Sequence, residues 1–497
     1  MGVLLTRQLS PSTIGTANIQ LQLILNTICM LSRESFRRAC IRAEDSLTSK
    51  NRLALPKLVN LSWLVVPFSL VVSAVVTMIF LNQSNEEQRN EPFFWEAVTL
   101  TGIASFLENL SEPAYILAQN QLMYKLKMYV ELVAILVRCV LIYLLVVYMQ
   151  LDLLSFGIGQ IVYSLILIVG YFGYFFYKIM KRNTETQFTH IRQLFPTYLG
   201  SMKESFDTSS IKLLINFEWQ SCQKLVLQEG EKIVLTFAES LFNQGIYSVV
   251  NNLGSLVVRF LFQPLEEVIY AVFSKLKSYE KKDKNSSQET LRVLSITIKL
   301  SFYIGMYFVS FGPGFSYILL EILYSSKYSQ GSAPLVLSIY CLLVFCLALN
   351  GITEAFVHAV ATEKEMRYFN ILMITFSLVY MATAYQFIQH LSTVGLVLAN
   401  CLNMLFRICV HSYYIWKNVK GISLGILPSP VIMVVFFVVF VVSKLSCDNL
   451  CNQSTPSDPS FLYLPQPCIY HLIVGVVLFL LTTLTVVLLE KQFVKDL

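Results

Sequence analysis

The sequence predicts an all-α polytopic membrane protein of about thirteen transmembrane helices, and three observations carry that expectation. Hydrophobic residues make up 55% of the 497 and charged residues only 14%, whereas soluble domains hold about 45–50% and 25%. Mean hydropathy is +0.60. The apolar residues come in long runs rather than alternating, so their backbone must bond internally as helices and not as a barrel.

The helices are expected near 14–32, 58–81, 93–119, 128–149, 153–179, 211–238, 240–263, 291–311, 335–356, 368–389, 393–416, 430–446 and 468–490. Most reach the roughly 20 residues that span a bilayer. Loop charge supports this order. Seven Lys or Arg lie within 33–57, then Lys125 and Lys127, six from Lys178 to Lys212, and five from Lys275 to Lys284. Pairs follow at Lys364/Arg367, Lys417/Lys420 and Lys491/Lys495, while the alternate loops hold only Arg7, Arg89, Lys327 and Lys444. The basic side is therefore read as cytoplasmic, and the C-terminus with it. The opening "MGVLLTRQLS" lacks the core of a signal peptide. An N-terminus on the non-cytoplasmic side suggests that a preceding helix is absent from this chain.

The polar, mixed-charge stretch 183–210 divides the helices into groups. The expected organisation is a first lobe over 1–182, a cytoplasmic linker over 183–210, a second lobe over 211–417, and two further helices over 418–497. "GTANIQLQLILNTICMLSRESFRRA" (15–39) and "GIYSVVNNLGSLVVRFLFQPLEEVI" (245–269) both open on glycine, run about one membrane width and end in charge. They share Gly15/Gly245, Leu23/Leu253 and Leu31/Leu261, a faint signal of duplication. Transporters built from parallel repeats place their site at the repeat interface.

Charge inside a membrane costs at least about 2.5–3.5 kcal/mol on insertion scales, so such groups face protein or a wet cavity. Asn251, Ser255 and Arg259 recur every four residues on one helix face. Asn400, Asn403 and Arg407 form a second stripe; Asn350 and Glu354 form a third, with His358 one turn on. Glu108 and Glu112 share a face, and Pro113 predicts a kink beside them. Glu131 and Arg138 stand two turns apart. Interhelical pairing accounts for any single stripe; several together favour a hydrated cavity.

In "SRESFRRAC" (32–40), Arg33 and Arg37 are one turn apart and Arg38 lies beside them. A lone arginine here would be a membrane-edge anchor. A cluster offers bidentate hydrogen bonds to a diphosphate. The corresponding end of the later segment is acidic at Glu266 and Glu267. These two ends are expected to latch when the cytoplasmic side closes.

Catalytic signatures are missing: neither GxxxxGK[ST] nor HExxH occurs, and the eleven cysteines include no CxxC. No enzyme activity, cofactor, metal or nucleic-acid partner is expected. Sequons at Asn82 and Asn452 lie on the non-cytoplasmic side; Asn285 lies on the cytoplasmic side, where it is silent. Cys447, Cys451 and Cys468 face the oxidising side, where one disulfide among them is expected.

"SRESFRRAC" is similar to the arginine motif of the Rft family of oligosaccharide translocation proteins. "LQEGEKIVLTF" (227–237) and "QGIYSVVNNLGSLVVRFLFQPLEE" (244–267) resemble that family's most recognisable block, and "LNGITEAF" (349–356) and "GLVLANCLNMLFRI" (395–408) resemble two more. The resemblance implies membership of the multidrug/oligosaccharidyl-lipid/polysaccharide exporter superfamily. It implies a plan of fourteen helices in two pseudo-symmetric six-helix lobes plus two, from which this chain lacks the first. It implies residence in the endoplasmic reticulum membrane, in N-linked glycosylation. The partner implied, besides membrane lipid, is dolichol-diphosphate oligosaccharide, moved from the cytosolic to the lumenal leaflet.

On that reading Arg33, Arg37 and Arg38 capture the diphosphate, with Arg259 and Arg407 inside the cleft. Asn251, Asn252, Asn350 and Asn403 meet sugar hydroxyls. Glu108, Glu112, Glu229, Glu231, Lys232, Glu266, Glu267 and Glu354 gate or couple. Two rivals are a non-transporting accessory factor for the same glycolipid and an ion-coupled exporter of the multidrug branch. An acidic cavity would favour the exporter.

Overall fold

The computed structural model describes residues 2–47, 54–181, 190–198, 200, 205–206, 208–280, 286–329, 331–418, 428–450 and 466–496. Among the described residues no strand occurs. The chain forms two compact units, 1–245 and 246–497.

In the first unit, α1 (Gly2–Gln8) precedes α2 (Pro11–Gly15). Ser10 caps α2 by accepting the Thr13 N–H at 3.1 Å, and Pro11 fits the first turn, where no amide partner is needed. A π-helical turn (Thr16–Leu21) leads into α3 (Gln22–Leu47). Then come α4 (Ala54–Trp63), α5 (Val65–Asn82), α6 (Phe94–Leu110), α7 (Glu112–Asn120), α8 (Tyr124–Met149), α9 (Leu154–Met180) and α10 (Thr208–Ala238). The break between α6 and α7 falls at Ser111, two residues before Pro113, as the proline predicts.

Lipid supplies no hydrophobic drive between helices, so close packing and hydroxyl bonds hold them together. Ser73 of α5 donates to the Gly102 carbonyl of α6 at 2.6 Å, and Ser164 of α9 donates to the Ala104 carbonyl at 2.8 Å. A methyl group at Gly102 would strike Thr77, so the glycine sets the α5–α6 approach. Part of the linker is anchored on α4: the Asn60 amide exchanges hydrogen bonds with Thr197 N and O at 2.8 and 2.9 Å, and Trp63 donates to the Leu194 carbonyl at 2.8 Å.

The second unit takes most of α11 (Leu241–Val257), a π-helical turn (Val258–Phe262), α12 (Gln263–Glu280) and α13 (Ser286–Tyr324). Next are α14 (Ala333–Val360), α15 (Glu363–Asn418), α16 (Pro430–Leu450) and α17 (Gln466–Leu489). Ser392 (φ 53°, ψ −142°) breaks the 56-residue α15 into two arms. The arms fold back on each other, with Phe376 stacked on Phe406 and Phe369 meeting Tyr414 edge-to-face. A Cβ at Gly395 would strike the Phe387 carbonyl, which is why glycine follows the bend so closely.

Nine helical spans among the described residues are long and apolar enough to cross a membrane. The regions of α6–α7, α10 and α11–α12 fall outside that set; the first two carry charge at Glu108, Glu112, Glu218 and Lys224. Tyr124–Met149 buries only 17% of its apolar window, whereas Pro11–Arg42 buries 67%. The former shows its side chains to lipid; the latter runs through the interior of its unit. The protein is a multi-pass membrane protein.

The sequence reading groups 211–238 with the later helices, yet α10 packs on α3 in the first unit. The cause is polar: Asn26, Glu34 and Ser35 of α3 bond to Glu229, Lys224 and Glu218 of α10.

Of the cysteines of the expected disulfide, Cys447 and Cys468 are buried together against Ile318; Cys451 lies outside the described residues. Beside them His471 joins three helices. Its Nε2 lies 2.9 Å from the Gly314 carbonyl, which can only accept, so Nε2 carries the proton and Nδ1 accepts from Ser446 at 2.8 Å. His471→Leu strands a buried carbonyl contact and a hydroxyl. The expected cost is about 1–3 kcal/mol, read as an earlier thermal unfolding midpoint in detergent.

Candidate functional site

In the first unit the arginine motif sits on α3 between two sets of carboxylates. Toward α6 and α7, Arg33 Nη1 lies 2.5 Å from Glu108 Oε1 and 3.6 Å from Glu112 Oε1. Arg37 grips Glu112 with both Nε (2.8 Å) and Nη2 (2.5 Å), and its guanidinium lies 3.9 Å from the centre of the Tyr115 ring. Glu108 also accepts from Gln160 of α9 at 2.9 Å. Bidentate, charge-assisted bonds of this kind fix a guanidinium plane.

Toward α10, Arg38 and Lys224 share Glu34 at 2.5 and 2.6 Å. Glu229, buried, accepts from Asn26 at 2.8 Å and pairs with Lys232 at 2.9 Å. Ser35 donates to Glu218. Glu231 stands half-buried on the same helix. Five cations (Arg33, Arg37, Arg38, Lys224, Lys232) thus pair with four carboxylates (Glu34, Glu108, Glu112, Glu229), and a fifth carboxylate, Glu218, accepts from Ser35. The cluster is charge-balanced, not a bare cationic seat. It keeps an open side: the Arg33 and Arg37 side chains are 26% exposed and Arg38 is 40% exposed. An incoming anion meets oriented donors whose charge is already partly offset.

The second unit gathers a different set. Asn350 donates to Glu354 at 2.8 Å, and His358 Nε2 lies 3.9 Å from the same carboxylate. From the far arm of α15, Arg407 and His411 both feel the Glu354 charge. Glu266 lies against the backbone of Gly351, where a Cβ would collide with its carboxylate. Asn350 Oδ1, Asn403 Oδ1, Arg407 Nε and His411 Nδ1 are buried without a hydrogen-bond partner among the described residues. Buried polar atoms are nearly always paired. A patch of unpaired ones marks a place for water or a hydroxyl-rich ligand.

Other expected residues stand apart from that patch. Asn251 accepts from Tyr340 at 2.8 Å. Among the described residues Arg259 bonds along its own helix, to Ser255 at 2.6 Å, and with Asn252 and Glu267 it is exposed. Of the sequons, Asn82 is exposed at the end of α5, while Asn452 and Asn285 lie outside the described residues. A cavity of about 370 Å³ opens beside Asn251's helix, walled by Gly254, Tyr307, Phe311, Phe315, Tyr340 and Phe479.

Sequence reasoning missed Gln160, Tyr115, Lys224, Glu218, Tyr340 and His411. Gln160, a lone amide in an apolar run, carried a usable signal. Lys224 and Glu218 did not, because a mixed-charge helix reads equally as a solvated one.

Comparison with known proteins agrees with this architecture. The model of the Rft protein family matches residues 1–497. The chain is 34% identical to the Man(5)GlcNAc(2)-PP-dolichol translocation protein RFT1 of Dictyostelium discoideum, over 98% of this chain and 90% of that protein. The protein of the same name from Xenopus tropicalis is 34% identical with the same coverage, and that from Mus musculus is 31% identical over 91% and 85%. Among solved structures, an inward-facing MATE family multidrug resistance transporter of the MOP superfamily superposes with a TM-score of 0.60 at 12% identity, covering 85% of this chain and 94% of that one. The lipid II flippase MurJ, in an inward closed conformation, gives 0.59 at 11% identity, covering 99% and 97%. These structures share the fold of this chain, and the match along its whole length places it by descent: the chain belongs to the Rft protein family.

Proposed function

We propose that this chain carries mannosylated chitobiosyl diphosphodolichol from the cytosolic to the lumenal leaflet of the endoplasmic reticulum membrane, with its own C-terminus cytoplasmic. The relatives are named for translocating such a glycolipid. The observation that carries the reading is the Arg33/Arg37 pair: two guanidiniums fixed by carboxylates, on a largely buried helix, yet open on one side.

A guanidinium has five N–H donors, and one carboxylate occupies at most two. Arg33 and Arg37 keep donors for phosphate oxygens, with Arg38 at the more exposed rim. Their ordering by Glu108 and Glu112 removes most of the entropy loss on binding. The same carboxylates weaken the hold on a doubly charged ligand. A carrier needs that, since a site that binds too tightly cannot release on the far side.

In the second unit, Asn350 and Asn403 offer unpaired amide oxygens to sugar hydroxyls. Asn251 and Asn252, which stand apart from that patch, are further candidates for sugar hydroxyls, and Arg407 and Arg259 for the head group. Glu229, Glu231, Lys232, Glu266, Glu267 and Glu354 gate or couple. The apolar cavity suits a stretch of isoprenoid chain. Matched charge in the first unit leaves no acidic surplus for an organic cation, which disfavours the multidrug branch.

The test is reconstitution of the purified chain in vesicles with labelled dolichol-linked oligosaccharide. Faster appearance of label in the opposite leaflet than in empty vesicles is the expected result. No acceleration, together with normal transport in extracts lacking the protein, gives the chain to the accessory role.

A further inference from the structure

We propose that the cavity between the free ends of the two α15 arms binds the phosphate head group of an anionic glycerophospholipid. This goes beyond the translocation reading and does not depend on it.

The cavity, about 590 Å³, lies between Lys364–Leu372 on the first arm and Cys409–Asn418 on the second. The bend at Ser392 brings these stretches to one end of the hairpin. Lys364 and Lys417 stand on its rim, both exposed, and neither forms an ion pair among the described residues. The rim also holds Glu365, but its Oε2 is already committed: it accepts the Thr362 N–H and hydroxyl, each at 2.8 Å, and the Tyr414 hydroxyl at 3.2 Å. Glu363 and Arg367, both exposed, stand one helical turn apart with opposite charge. Glu365 keeps its negative charge through those bonds, so with Lys364 and Lys417 the cavity rim carries one net positive charge.

Deeper in, the walls turn apolar with Phe369, Leu372 and Val410. Below them the hairpin surface is exposed and apolar at Ile371, Leu405 and Phe406, as a lipid-facing flank is. Tyr368 and Tyr413, both more than 60% exposed, line the cavity, and the likewise exposed Trp416 packs beside Tyr413; exposed aromatic side chains of this kind mark the membrane–water boundary. A cationic rim, an aromatic collar and an apolar floor continuous with a lipid-facing flank describe one ligand shape: an anionic head with tails directed along the helices. Lysine ammonium groups act as point charges, suited to a phosphodiester or phosphomonoester without fixed fork geometry.

The experiment is native mass spectrometry of the purified full chain with phosphatidylinositol, phosphatidic acid or phosphatidylcholine of matched acyl chains. Retention of the two anionic lipids over phosphatidylcholine is expected. Each lysine near the surface contributes roughly fivefold, so Lys364→Gln/Lys417→Gln is expected to lose about thirtyfold in affinity for the anionic lipids. Lys364→Arg/Lys417→Arg keeps the charge and is expected to retain them, which separates binding from folding. Equal retention of phosphatidylcholine, or full retention of anionic lipid by the Gln variant, overturns the proposal. So does displacement of the lipid by inorganic phosphate, which would mark a free-anion site, or by a polyprenyl diphosphate at lower concentration, which would give the cavity to a transported lipid.

Discussion

Arg37→Gln is expected to destabilise the protein by about 3–5 kcal/mol, because it strands a buried carboxylate. Among the described residues Glu112, 1% exposed, receives both of its short charged bonds from Arg37, with a 3.6 Å contact to Arg33 besides. Arg37→Gln/Glu112→Gln removes both charges and is expected to recover most of that loss. Thermal unfolding in detergent reads the difference. Transport is expected to separate from stability here: the double variant folds but has lost one guanidinium of the proposed diphosphate pair, and its glycolipid transport should fall at least tenfold. A double variant as unstable as the single one would show that Arg37 does not act through Glu112. A stable double variant with undiminished transport would remove Arg37 from diphosphate capture.

Gly245→Ala is the second large effect expected. A Cβ there would overlap the Pro11 carbonyl oxygen, and one at Gly15 would overlap the Leu241 carbonyl. Those obstacles are backbone, so no side-chain rotation relieves them. Overpacking of this kind costs about 1–3 kcal/mol, and a backbone clash stands at the top of that range. The two segments are also tied by Gln20, which donates to Gln244 at 3.0 Å with both side chains fully buried. Loss of the tight approach pulls that bond apart as well. Gly173→Ala is the control, since nothing lies within 4 Å of its added methyl and alanine favours a helix. Equal midpoints for the two variants would show that the glycine contact contributes nothing.

The sequence placed most helices to within a few residues, because apolar length is a local property that lipid enforces directly. The kink beside Pro113 and the polar stripes at 350–358 and 403–407 were legible for the same reason: one turn of helix repeats every four residues whatever surrounds it. The Rft resemblance was legible from four short blocks. Less legible was the grouping of helices. A helix bearing Glu218, Lys224 and Glu229 shows that it needs polar partners without showing where they are, and they proved to be on α3.

The sequence by itself determined that this is a helical membrane protein, and that Arg33 and Arg37 form one four-residue ladder and Glu108 and Glu112 another. It also paired Gly15 with Gly245 as the openings of two similar segments. Only the tertiary structure decided that each ladder faces the other: Arg33 meets Glu108 and Arg37 meets Glu112, both across 75 residues, so the two turns lie in register. It likewise set Gly15 and Gly245 against one another's segments. The physical reason is that periodicity follows from backbone geometry within a single helix, whereas the partner of a charged face is chosen by packing of the whole unit. An unpaired arginine ladder is equally consistent with a lipid anchor, a ligand seat or an ion-pair network until its neighbours are in place.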